Sequence, residues 1–259
     1  MKKYLSLFAL AALFSSFLMI SCDDDDDEQP TLYGAVTTVN IPEPENAPSW
    51  FPIGSEQTFY LTLDNQNTLY PSWINSFLIG YPLNTGCRAY ATYYDLGNNK
   101  EGYTKNIQLI DIRNILTKPI YTLTADTIST SPLRGTAPIE IDDAWIGDDF
   151  INITFDYQAS PGSIHYINMI VNQIDGPTIN PENGSWYLQF VHDANGDTGT
   201  RRYSGIVAFK IPDNLTNVSN IVIGYDDFEG AEQSTTLSYP GSDDDTPNEL
   251  GGFSDQTYQ

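Results

Sequence analysis

Two histidines and a few paired acids are the residues here whose types and spacing could do chemistry. His165 shares a strand face with Ile167, Met169 and Val171, and His192 shares one with Trp186, Leu188 and Phe190. Folding 163–173 and 185–193 as a hairpin about the 174–184 loop brings His165 near His192 or Asp193. That geometry admits a metal pair or an acid–base pair. It equally admits two strand histidines satisfied by local hydrogen bonds. Asp193, Asn195 and Asp197 resemble the opening of a calcium loop, and calcium is the one cofactor they suggest. An EF-hand needs Gly at its sixth place and Glu at its twelfth, and Thr198 and Ser204 stand there instead. A turn accounts for the three residues with less. The pairs Asp142-Asp143 and Asp148-Asp149 flank Trp145-Ile146-Gly147. Two carboxylates can run a glycoside hydrolysis, but solvated loop ends explain these as well. No nucleophile elbow, His-Glu-x-x-His, phosphate loop or dinucleotide fingerprint is present.

The strongest signal lies at the start of the chain. Lys2 and Lys3 precede an apolar run of about 16 residues, shorter than the roughly 20 that span a bilayer. The run ends at Leu18-Met19-Ile20-Ser21-Cys22, which resembles a bacterial lipoprotein box. Residues 1–21 are expected to be a signal peptide, and Cys22 to be acylated and to anchor the mature chain in outer-membrane lipid. Each buried methylene contributes about 0.8 kcal/mol, so two or more chains hold far better than one. Asp23, Asp24, Asp25, Asp26, Asp27 and Glu28 follow, and 22–30 is expected to be an acidic spacer. Cysteine followed by several Asp resembles the surface-export signal of Bacteroidetes lipoproteins, which implies display on the outer face of the outer membrane.

Charge narrows the partners. The net formal charge is −23, and residues 119–240 hold sixteen acids against four bases, while 31–118 hold seven against five. No basic stripe exists for a phosphate backbone, so nucleic acid is not an expected partner. Once Cys22 is acylated only Cys87 remains, so no internal disulfide can form, and its apolar-aromatic setting predicts a buried, inert thiol.

The elements that must position these residues read as strands. Tyr is abundant at 17, Lys plus Arg total only 11, and β-branched residues are frequent. Strands are expected at 33–40, 58–64, 68–70, 87–95 and 103–112. Five strands with one long connection fit an OB-like barrel over 31–118. The Pro-rich stretch 41–53 and the stretch 71–85 read as insertions. Further strands at 139–142, 149–157, 163–173, 185–193, 201–211 and 219–226 fit an antiparallel β-sandwich over 119–240. Ile151, Ile153, Phe155 and Tyr157 form its inward set, and Asn195-Gly196 predicts a hairpin between the Trp186 and Tyr203 strands. The acidic tail 241–259 reads as disordered.

Several segments in order resemble the NigD-like lipoproteins of Bacteroidetes: IQLIDIRNILTK (107–118), IDDAWIGDDFINI (141–153), IHYINMIVN (164–172), WYLQFVHDANGD (186–197) and RYSGIVAF (202–209). The resemblance implies an N-terminal OB-like domain followed by a C-terminal β-sandwich and an envelope address. It implies no catalytic residues, and the family's bacteriocin-associated name implies an accessory or immunity role at most. Asp126-Thr127-Ile128 resembles a short O-glycosylation motif of Bacteroides secreted proteins, making Thr127 a candidate acceptor. Trp50, Phe51, Trp73 and Tyr81 are candidate ligand-contacting aromatics of the two insertions. The expected function is therefore non-enzymatic binding or assembly, with a glycan or an envelope protein as partner. An envelope hydrolase using the 142–149 carboxylates is the alternative.

Overall fold

Alternation as strict as that of Ile151, Ile153, Phe155 and Tyr157 with Asn152, Thr154 and Asp156 can only form a strand, and the computed structural model of the chain is built from such strands. It describes residues 31–42, 59–78, 82–98, 100–126, 135–174 and 178–240 of the 259. One 3-10 turn, Ser76–Leu78, is the sole helical element among them. No helix of the described residues is long and apolar enough to cross a membrane.

Five strands make a closed barrel: β1 (Leu32–Asn40), β2 (Tyr60–Leu63), β3 (Thr68–Ile74), β4 (Arg88–Asp95) and β5 (Lys105–Asn114). Their order around the barrel is β1-β2-β3-β5-β4, closed by the antiparallel pairing of β1 with β4. Val39, Leu61, Leu69, Ala89, Ala91, Ile107 and Leu109 fill it, each fully buried. The stretch expected as a second insertion begins as strand, because β3 runs on through Pro71 to Ile74. Proline lacks the ladder N–H, and β3 takes it where its register against β5 shifts, between Pro71 and Trp73.

Nine strands follow: β6 (Leu116–Pro119), β7 (Tyr121–Leu123), β8 (Ile139–Gly147), β9 (Phe150–Ala159), β10 (Tyr166–Asn172), β11 (Ser185–Asp193), β12 (Arg201–Lys210), β13 (Asn220–Asp226) and β14 (Glu232–Ser238). They form a five-stranded sheet, β14-β13-β11-β10-β7, over a four-stranded sheet, β6-β12-β9-β8. The core between the sheets holds Ile151, Ile153, Phe155, Met169, Leu188, Phe190, Phe209 and Ile223. Phe190 meets Phe155 edge-on at 5.4 Å and Phe209 at 6.0 Å, a geometry worth about 0.5–1.5 kcal/mol per pair beyond burial.

The sandwich is less uniformly antiparallel than its alternation suggests. β6 pairs with β12, β7 with β10 and β11 with β13, all parallel. β6 crosses the expected boundary at residue 118 and belongs to the sandwich sheet. β11 and β12 lie in different sheets, so Asn195-Gly196 turns a crossover and not the expected hairpin. Both residues have positive φ, 51° and 79°, which is why Asn-Gly suits the turn. β14, rich in Ser and Thr and exposed, lacks the apolar alternation that would mark it as a strand.

Asn152 and Thr154, polar and expected to face outward, are buried at 0% and 9% exposure. The reason is a third core. Val36 and Ile115 of the barrel side pack with Trp145, Phe150, Ile206 and Ala208 of the sandwich, so the barrel covers the outer face of the four-stranded sheet.

Candidate functional site

β10 and β11 pair as the expected hairpin, and the two histidines meet inside the sandwich. His165 Nδ1 lies 2.7 Å from His192 Nε2, and His165 Nε2 lies 3.0 Å from Asp197 Oδ2. His192 Nδ1 lies 3.1 Å from the Pro138 carbonyl, which can only accept, so that nitrogen carries a hydrogen. With that hydrogen placed, His192 Nε2 is left to accept from His165 Nδ1, and Asp197 closes the chain of contacts. The Ser160 backbone N–H at 2.6 Å, the Ser160 hydroxyl at 2.7 Å and the Gly199 N–H at 3.0 Å hold its carboxyl well below the usual carboxylate range. Burial lowers His192 to about 4.

The network ties the sheets together. His192 lies on the five-stranded sheet, His165 immediately precedes β10, and Ser160 follows β9 of the four-stranded sheet. The Tyr157 ring packs on both histidines, at 5.4 and 5.7 Å. His165 is 0% and His192 2% exposed, which leaves a substrate no ring face to meet. This chemistry clamps one sheet to the other.

Asp197 thus faces inward to Ser160 and His165. Asp193 accepts the Asn195 N–H at 2.8 Å, closing the local turn. Among the described residues no group of three or more His, Cys, Asp or Glu side chains is gathered for a metal ion.

The four carboxylates of 142–149 are not gathered either. Asp142 and Asp143 lie within β8, at a register shift against β9, and not in a loop as expected. Asp148 and Asp149 form the two-residue turn from β8 to β9, with φ of 47° and 64°. Along one strand these sites are about 20 Å apart, against roughly 5–10 Å for a glycosidase pair. Partial burial, then the charge of Asp156, raises Asp142.

Trp73 stands on β3, 48% exposed, and not on a loop. Cys87 is half-buried, less than expected, and burial raises its thiol pKa. Cys22, Asp23–Glu28, Trp50, Phe51, Tyr81 and Thr127 lie outside the described residues.

One cluster carries no sequence motif at all. Arg88, the first residue of β4, is completely buried where barrel meets sandwich. Its guanidinium donates to the Asp64 carboxylate, to Asn152 Oδ1 at 3.2 Å and to Thr38 Oγ1 at 2.9 Å, and lies over the Phe150 ring at 5.4 Å. Asp64 also accepts the Trp145 indole N–H at 2.8 Å. Burial lowers the Arg88 pKa while Asp64 opposes the shift. Gly147 is required here, because a Cβ would overlap the Asp64 carboxyl. Six side chains distributed from 38 to 152 converge, a juxtaposition that no spacing in the chain announces.

The NigD-like N-terminal OB domain matches residues 54–115, and the NigD-like C-terminal beta sandwich domain matches residues 120–239. The chain belongs to the NigD-like family. Among solved structures, a protein of unknown function from Bacteroides vulgatus superposes with a TM-score of 0.67 at 25% identity, covering 85% of this chain and 96% of its own. A candidate toxin-related protein from Parabacteroides distasonis gives 0.59 at 28%, covering 81% and 93%. A candidate lipoprotein from Bacteroides fragilis gives 0.53 at 13%, covering 81% and 98%, a likeness of fold alone. No curated protein matches the chain.

Proposed function

We propose that this NigD-like chain is a lipoprotein anchored through Cys22 on the outer face of the outer membrane, where it acts by binding a glycan or an envelope protein and not by catalysis. The observation that carries the reading is how its reactive groups are used. The two histidines are enclosed and hydrogen-bonded between the sheets, and Arg88 and Asp64 lock the barrel to the sandwich. Both networks stiffen a scaffold. The box ending at Cys22 and the acidic run behind it support the address. A solved neighbour named a candidate lipoprotein is in keeping with it.

Metabolic labelling with an alkyne fatty acid, followed by protease treatment of intact cells, tests this. The wild-type chain is expected to be labelled and to be digested from outside, and Cys22→Ser to be unlabelled. Replacing Asp23–Glu28 by neutral residues is expected to leave a labelled chain that resists digestion. An unlabelled wild-type chain, or one protected in intact cells, would refute the address. The candidate toxin-related neighbour at 28% identity favours a second reading, an accessory role beside a bacteriocin. A deletion strain whose sensitivity to its own secreted toxins rises would support that role.

A further inference from the structure

We propose that the open half of the five-stranded sheet is a binding groove for a neutral glycan chain, with Gly224 as its floor and Tyr187 as its stacking wall. The proposal rests on the reading above that the chain works by binding, and it names a ligand class and a place.

Two depressions of about 440 and 580 Å³ adjoin across β11, β13 and β14 and share Asn172, Gln189, Gly224 and Glu232. Gly224 is the informative residue. It sits in the interior of β13, paired with Gln189 on one side and Ser234 on the other, and neither register is broken by a bulge. Glycine weakens a strand at such a place and commonly marks a bend or a close approach. At four other glycines the approach is visible. A Cβ at Gly34 would overlap the Tyr90 hydroxyl, one at Gly147 the Asp64 carboxylate, one at Gly135 the His192 backbone and one at Gly199 the backbone of Ala159 and Ser160. At Gly224 the nearest atoms to such a Cβ are the carbonyls of Gln233 and Leu188, both at 3.8 Å, which is ordinary contact. No described part of the chain takes the space that this glycine leaves.

The lining says what could enter. Tyr187 is 49% exposed on β11 and offers a ring face to the C–H groups of a sugar. Gln189, Ser234 and Glu232 are exposed around it and supply amide, hydroxyl and carboxylate groups for hydroxyl recognition. No Lys or Arg is among the described residues lining either depression. Asp226 and Glu232 stand at the rim, and 119–240 is strongly acidic, so phosphorylated, sulfated or uronic chains are repelled. Val222 is the lone branched aliphatic of the larger depression besides Leu188, too little for the apolar anchors of a peptide. The volume suits a few sugar rings.

The test uses the lipidated full chain in a sugar-free detergent, titrated calorimetrically with maltohexaose, cellohexaose, xylohexaose and mannohexaose. Hexagalacturonate and the glucosamine hexamer serve as anionic and cationic probes. At least one neutral hexasaccharide is expected to bind. Tyr187→Ala and Gly224→Val are each expected to weaken it roughly tenfold or more, with Phe77→Ala, an exposed aromatic of the barrel away from both depressions, unchanged. Valine at 224 has room for its Cβ and places its methyl groups on the groove floor, and melting curves verify that it folds. Gln189→Ala, on an exposed side chain, gives an independent variant. The proposal is overturned by no binding of any neutral hexasaccharide, by tighter binding of either charged probe, or by binding indifferent to the Tyr187, Gln189 and Gly224 changes. If these fail while acyl labelling and surface digestion succeed, the address stands and the groove does not. The reverse pattern would leave the groove and refute the address.

Discussion

The two outer faces of one sandwich meet opposite fates. The four-stranded sheet turns Asn152, Thr154 and Trp145 toward the barrel, and all three are buried. The five-stranded sheet turns Tyr187, Gln189 and Ser234 to solvent. Both faces carry polar side chains at alternate positions. The covered face gives its polar groups partners at fixed distance, above all Arg88 and Asp64. The open face leaves a depression beside theirs. Polarity in a strand pattern thus marks a side without saying whether water, a neighbouring module or a ligand lies against it.

The comparison is most severely tested at Arg88. Arg88→Ala leaves the Asp64 carboxylate buried without its cation, and losing one member of a buried pair costs about 3–5 kcal/mol. Urea denaturation should show a loss of that size, and limited proteolysis should cut between barrel and sandwich. The double replacement Arg88→Met with Asp64→Leu should restore most of the stability, because packed apolar groups serve a covered face nearly as well. A single change with no measurable effect would show that the barrel does not cover that face tightly.

Acid separates the two polar networks. Arg88 stays charged throughout the accessible pH range, so the pH response to follow is that of the histidine network. His192 is held at about 4 against an ordinary 6.5. As pH falls below 6.5 the unfolded chain binds a proton that the native chain refuses, and stability declines. The loss from His192 runs at no more than about 1.4 kcal/mol per pH unit and reaches about 3 kcal/mol by pH 4, below which the depressed Asp197 carboxyl adds a further loss. Denaturation midpoints at unit steps of pH should trace this slope, and His192→Gln should flatten it. A slope unchanged by that substitution would place the acid-sensitive group elsewhere.

A smaller effect is expected at Trp145→Phe. It retains most of the ring burial and removes the indole N–H from Asp64, which then lacks one of its donors. About 1–3 kcal/mol should be lost, read from the shift in urea midpoint at constant slope.

How much of this could be read from residues alone differs by scale. Barrel and sandwich followed from strand-length alternation, as in the expected strand 149–157, which the structure forms as Phe150–Ala159. The meeting of His165 with His192 followed from one hairpin. Asp197 as the third member did not, because it sits on a crossover between sheets that Asn195-Gly196 made look like a hairpin. Parallel pairs such as β11 with β13 leave no local trace, since their partners lie 35 residues apart. Arg88 was illegible for the same reason: its partners at 38, 64 and 152 become neighbours only when two modules dock.

The smallest effects come from matched changes on the two faces. Asn152→Ala removes the acceptor of the Arg88 Nε–H in a site at 0% exposure, and an unsatisfied charged donor there should cost about 1–3 kcal/mol. Gln189→Ala alters an exposed amide on a strand of the opposite sheet, and its stability should stay within about 0.5 kcal/mol of the parent. Both replace an amide by a methyl group in the interior of a paired strand, so β propensity nearly cancels between them. The difference in urea midpoint therefore reads the cover itself. Equal losses at the two sites would mean that the face with Tyr187 and Gly224 is also shielded in solution, and a groove open to ligand would have to be abandoned.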